Sequence, residues 1–137
     1  MKNNLLVGLS DRQVKYLSET REGRIHDKRI CDEDGTQCPP GYEVYRGLGY
    51  QGLEMEGVVV YQPKKKPSGG ELTAAEKESN QAISSVRVTV EHVISGVKRC
   101  RILKDVYRNF KEGFDDVVID IASGLHNFRS DSRLQAY

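Results

Sequence analysis

The sequence predicts an α/β fold, and three observations carry that prediction. Short β-type runs punctuated by turn residues fill the first half, and two long segments with helical apolar spacing fill the second. Between them Thr73 and Glu76 stand three residues apart, a capping box in which hydroxyl and carboxylate satisfy free backbone N–H groups at a helix start.

Taken in order, Leu5–Leu9 and Gln13–Leu17 are β-type runs joined by Ser10-Asp11-Arg12, a polar connection suited to an antiparallel hairpin. After Gly23, His26 to Asp34 forms a short helix that stops in the acidic, Gly/Pro-rich stretch ending at Gly41. Tyr42–Arg46 and Val58–Tyr61 read as further strands. Gly47, Gly49 and Gly52 between them weaken regular structure and let backbone come close to a neighbour; they match no phosphate-loop template. Pro63, Pro67, Gly69 and Gly70 bracket Lys64, Lys65 and Lys66, which predicts a mobile basic connector.

A long helix follows from Ala74 to Arg101. Gly96 interrupts it at a local cost of about 1 kcal/mol, the mark of close packing. Glu112 to Asn127 is expected as a second helix, with Phe114, Val117, Val118, Ile121, Ala122 and Leu125 as its core stripe and His126 as a capping or packing residue. Residues 129–137 read as a polar tail, leaving 1–128 as one folded body.

Composition narrows the class. At 137 residues the chain is of single-domain size, and 21 basic against 20 acidic residues leave no net field, so any basic signal is local. The longest apolar runs fall far short of the roughly 18 residues of a membrane helix, and the start lacks the long hydrophobic centre of a secretory signal. The expectation is an intracellular, cytoplasmic chain with no membrane partner. Three cysteines without paired short spacing argue against a disulfide framework, and His26, Cys31 and Cys38 lack a fourth zinc ligand.

The chemistry concentrates in SSVRVTVEHVISGVKRCR. Arg87 lies four residues before Glu91 and Lys98 seven after it, so a helix places one carboxylate between two cations on a single face. Val86, Val90, Val93, Ile94 and Val97 form the apolar stripe that would fix its direction. The surface suits phosphate, although a solvated salt-bridge ladder explains the same spacing. Lys98, Arg99, Arg101, Lys104, Arg108 and Lys111, interleaved with Tyr107 and Phe110, make a basic strip suited to a nucleic-acid backbone, or simply cations at the negative end of a helix dipole.

Together, KNNLLV, KYLSET, REGRIHDKRI, LGYQGL, the stretch from Gln62 to Leu103 and IASGLHNFR resemble the C-terminal catalytic part of a bacterial insertion-sequence transposase of the DDE superfamily, in the group of insertion sequence five. The resemblance implies an incomplete ribonuclease-H-like domain, a mixed sheet backed by the long helix and a C-terminal helix. It also implies transposon-end DNA as partner and Mg2+ or Mn2+ as cofactor. In such enzymes carboxylates hold two divalent ions that activate water or a DNA 3′-hydroxyl for in-line attack at phosphorus. Glu91 corresponds to the third acid and metal ligand, with Arg87 and Lys98 completing its pattern. Lys64, Lys65, Lys66, Arg99 and Arg101 are the further DNA contacts, and His26 and Asp27 form a supporting motif.

Three departures qualify the match. Ser84 stands where an aromatic residue is expected. Gly47, in RGLGYQG, stands where the second acid belongs. The first acid belongs to a strand preceding Lys2-Asn3-Asn4. The expectation is a fragment inactive alone, marginal in stability and prone to association because an absent strand bares edge groups and apolar surface. A second expectation is a DNA-binding or subunit-association module that modulates an intact transposase, as homo-oligomer or mixed assembly. The third is an ordinary α/β interaction domain.

Overall fold

The computed structural model describes residues 1–105 and 108–136. Their mixed α/β architecture contains β1 (Leu5–Val7), β2 (Val14–Leu17), α1 (Asp27–Asp34), β3 (Glu43–Tyr45), β4 (Val59–Tyr61), α2 (Ala74–Val97) and α3 (Phe114–Gln135). Short 3-10 turns occupy Leu48–Tyr50 and Arg101–Leu103. The strands form two separate two-stranded sheets. The chain divides into two compact units, residues 1–23 with 89–137, and residues 24–88, so α2 contributes to both.

In the first unit β1 and β2 are antiparallel, Leu5 opposite Leu17 and Leu6 opposite Tyr16, with a bulge before Val7. Lys2 and Arg21 exchange backbone hydrogen bonds of 2.8 Å, which extends the hairpin beyond its strands. The turn expected at Ser10-Asp11-Arg12 is present, and Arg12 takes its left-handed conformation at φ 56°. Val14, Val93, Val97 and Ala122 make the core, with Leu5, Val7, Leu103 and Ile119 packed around it. Burial of Val93 and Val97 realises the apolar stripe read from the sequence.

The buried face of α3 departs from expectation. Ala122, Ser123 and His126 face inward, whereas Val117, Ile121 and Leu125 are exposed. Polar anchoring sets this rotation. Asn127 Oδ1 accepts from the Val14 N–H at 2.8 Å while its Nδ2 donates to the Val14 carbonyl at 2.9 Å, so one amide satisfies both groups on the open edge of β2. His126 Nε2 lies 2.9 Å from the Arg12 carbonyl, a packing role as expected. Helix α3 also runs through Gln135, so Arg129 to Gln135, read as tail, are helical. Asp131 secures this last part through a hydrogen bond from Gln13.

Gly96 is where α2 admits α3. A Cβ built there would lie 2.3 Å from His126 Nδ1, in a buried ring that has nowhere to swing. Arg129 Nη2 donates to the Gly96 carbonyl at 2.9 Å, and α2 ends at Val97 instead of Arg101. After Val97 the backbone tightens, Arg99 N–H reaching the Gly96 carbonyl and Cys100 N–H that of Val97. Gly96→Ala therefore sets a helix gain of about 1 kcal/mol against an overpacking cost of about 1–3 kcal/mol, and a net loss of stability by denaturant titration is expected. A gain would contradict this packing.

In the second unit β3 and β4 run parallel, Val44 opposite Val60, with Tyr45 and Tyr61 rings stacked at 4.7 Å. Its buried residues include Ile30, Cys31, Cys38, Leu53 and Ile83. Helix α1 ends at Gly35, whose φ of 62° supplies the left-handed cap. At the start of α2 the capping box forms as read, Thr73 N–H to Glu76 Oε2 at 3.0 Å and Glu76 N–H to Thr73 Oγ1 at 3.2 Å. The connector is pinned rather than mobile at Lys64, because Asn80 pairs with its backbone N–H and carbonyl at 2.8 and 3.0 Å and Glu76 takes its ammonium.

Candidate functional site

The sharpest geometry surrounds Gly47. The β3 ladder ends at Arg46, whose N–H donates to the Tyr61 carbonyl at 3.0 Å, so Gly47 is the first residue beyond the carboxyl end of a parallel strand. Such ends are where α/β folds open crevices for ligands. Gly47 then caps the Leu48–Tyr50 turn with φ −86°, a conformation open to any residue. A Cβ placed there would lie 3.6 Å from Cζ and Nη2 of Arg87. Position 47 thus faces the arginine of the Arg87–Glu91–Lys98 pattern, and its lack of a side chain leaves that guanidinium without a carboxylate from this strand end.

The supporting motif reaches the same turn from the other side. A Cβ on Gly49 would fall 2.6 Å from Asp27 Oδ2, so only glycine lets the Asp27 carboxylate lie against Leu48–Tyr50. His26 sits at the N-cap of α1 and makes no side-chain cap bond. Arg46 braces the turn, its Nε donating to Gln62 Oε1 at 2.7 Å and its Nη1 to the Leu53 carbonyl. Sequence reasoning missed Arg46 and Tyr50. Tyr50 lies inside LGYQGL and Arg46 two residues before it, but nothing in their spacing along the chain signals these contacts.

Burial pushes the Tyr50 phenol up to about 12, and the Asp27 carboxylate and Cys31 add to the shift. The folded value exceeds the ordinary phenol value of about 10, so the contribution of neutral Tyr50 to stability is fully present below about pH 10. It is lost as pH rises through about 12. Denaturant midpoints in this alkaline range should fall less steeply for Tyr50→Phe than for the parent chain. Identical slopes would remove Tyr50 from the account.

Glu91 and Lys98 belong to the other unit. Glu91 is exposed and, among the described residues, its carboxylate has no hydrogen-bond or ion-pair partner, so the salt-bridge ladder does not form there. Lys98 closes the last helical turn through its N–H to the Ile94 carbonyl at 2.9 Å. It lines a cavity of about 390 Å³ with Lys2, Thr20, Val97, Asp105 and Ile119. Arg99 and Arg101 are exposed but lie beyond α2, so the basic strip is not a continuous helix face. Phe110 is 98% exposed, and Tyr107 lies outside the described residues. Lys65 and Lys66 are exposed, unlike the ion-paired Lys64.

Comparison with known proteins defines the class: residues 3–127 match the family described as DDE superfamily endonuclease, and the chain belongs to that family. It is also 30% identical over 128 residues, 93% of its own length, to a probable transposase for insertion sequence element IS702 from Microchaete diplosiphon. The match spans 46% of that protein. No solved structure matches. Among the described residues no helix is long and apolar enough to cross a membrane.

Members of this family typically use divalent metals, and the donor set here fits such ions poorly. Hard cations of this kind take several carboxylate oxygens. Among the described residues no three His, Cys, Asp or Glu side chains converge, and Gly47 offers no donor beside the motif arginine.

Proposed function

We propose that this chain is a transposase-type domain, ribonuclease-H-like in ancestry, that grips the phosphate backbone of DNA without cutting it on its own. The single observation that carries the reading is Gly47 facing Arg87 at 3.6 Å from the carboxyl end of β3. In this reading Glu91 keeps one acid of the catalytic set, while Gly47 leaves another of its positions without a carboxylate. Strand cleavage and transfer, the chemistry expected of the group of insertion sequence five, would need further carboxylates. Arg87 and Lys98, with Lys65, Lys66, Arg99 and Arg101, provide charge for phosphate oxygens. These exposed cations also favour a second reading, in which the chain modulates an intact transposase by occupying transposon-end DNA.

Salt-dependent DNA binding tests the grip. Each cation that neutralises a phosphate contributes about 0.9 to the slope of log affinity against log salt. Neutralising Lys65, Lys66 and Arg101 together should make that slope shallower by about 3 and weaken binding regardless of sequence. Neutralising Lys64 should change it least, since Glu76 already holds its ammonium. Absence of binding at low salt would overturn the reading.

A further inference from the structure

The Leu48–Tyr50 turn is held between two charged side chains. Its own hydrogen bonds, Tyr50 N–H to the Gly47 carbonyl and Gln51 N–H to the Leu48 carbonyl, both 3.2 Å, stiffen it from within. Helix α1 presses the Asp27 carboxylate against it. A Cβ on Gly49 would lie 2.6 Å from Oδ2, 3.4 Å from Cγ and 3.6 Å from Cβ of Asp27, so the whole short side chain stands against the turn. The same carboxylate raises the Tyr50 phenol, which places it beside two consecutive residues of the turn.

On the other side Arg87 lies flat. A Cβ on Gly47 would be 3.6 Å from Cζ, 3.6 Å from Nη2 and 3.8 Å from Nη1. These near-equal distances put that point over the face of the guanidinium, because approach along its edge would leave Cζ clearly farther away than the nearest nitrogen. The N–H donors lie in the guanidinium plane, so residue 47 leaves them uncovered. Arg87 is exposed and, among the described residues, its guanidinium has no hydrogen-bond or ion-pair partner. A donor fork whose plane is already set loses less freedom on taking an oxyanion than one that turns freely.

We propose that Asp27 is a positioning residue for Arg87. It holds the turn through Gly49, and the turn is the platform that sets the guanidinium plane for one DNA phosphate. The inference rests on the reading that this chain grips phosphate, and it gives Asp27 no contact with DNA.

A double-mutant cycle on DNA affinity tests it. Arg87→Gln should weaken binding by about 10-fold or more, the loss of one charge-assisted contact, and make the salt slope shallower by about 0.9. Asp27→Ala should move both in the same direction, although removing a negative charge by itself favours DNA. Glu33→Ala, which removes an exposed carboxylate from the same helix, should not weaken binding. Asp27→Ala combined with Arg87→Gln should bind no more weakly than Arg87→Gln alone. Gly49→Ala disturbs the contact from its other partner and should behave as Asp27→Ala does, each variant keeping the parent circular dichroism spectrum. Parent-like affinity in Asp27→Ala and Gly49→Ala, or losses that add in the double variant, would overturn the positioning role while leaving the grip intact. A parent chain that fails to bind at low salt would overturn both.

Discussion

Val93→Asp is expected to unfold the first unit, at a cost of about 3–5 kcal/mol for an unpaired carboxylate in an apolar core. Val93 is 1% exposed and packs in one cluster with Val14, Val97 and Ala122. None of these neighbours can donate a side-chain hydrogen bond to a new carboxylate. Because total stability is only about 5–15 kcal/mol, the loss should appear as collapse of the denaturant midpoint. Glu91→Gln, two residues earlier on the exposed side of α2, is the control and should shift stability by no more than about 0.5 kcal/mol. A tolerated Val93→Asp would mean that α2 does not bury this face and that the direction of Glu91 is not fixed by packing.

Much of the local fold was legible in the sequence because its signals are local. The hairpin turn, the end of α1 at Asp34 and the Thr73–Glu76 box each rest on residues within a few positions of one another. The errors arose where distant partners decide. Apolar spacing identified α3 as amphipathic but chose Val117, Ile121 and Leu125 as its core, because nothing in the pattern reveals that Asn127 must satisfy the edge of β2. The end of α2 moved from Arg101 to Val97 for the same reason, Gly96 being held by His126 and Arg129 from α3. Likewise the lysine connector read as mobile because Asn80, which clamps Lys64, lies 16 residues away.

The candidate site divides in the same way. Sequence reading singled out Arg87 and Glu91 by their helical spacing, and Gly47 and Asp27 through the resemblance to insertion-sequence transposases. What it lacked was proximity: Gly47 against Arg87, and Asp27 against Gly49, are contacts between segments far apart in the chain. Tyr50 and Arg46 stayed hidden because their environments, burial beside Asp27 and Cys31 for one and two long hydrogen-bond links for the other, exist only after folding.

The most direct test of the central claim is nicking of supercoiled plasmid DNA by the purified chain in manganese, run beside Glu91→Gln and Gly47→Asp. The claim predicts no conversion to open circles above the Glu91→Gln background. Gly47→Asp should stay equally silent, because among the described residues no three His, Cys, Asp or Glu side chains converge and a carboxylate set against Arg87 adds only a single donor. Nicking by the parent chain that disappears in Glu91→Gln would contradict the claim, since it would require a complete set of carboxylates around residue 91.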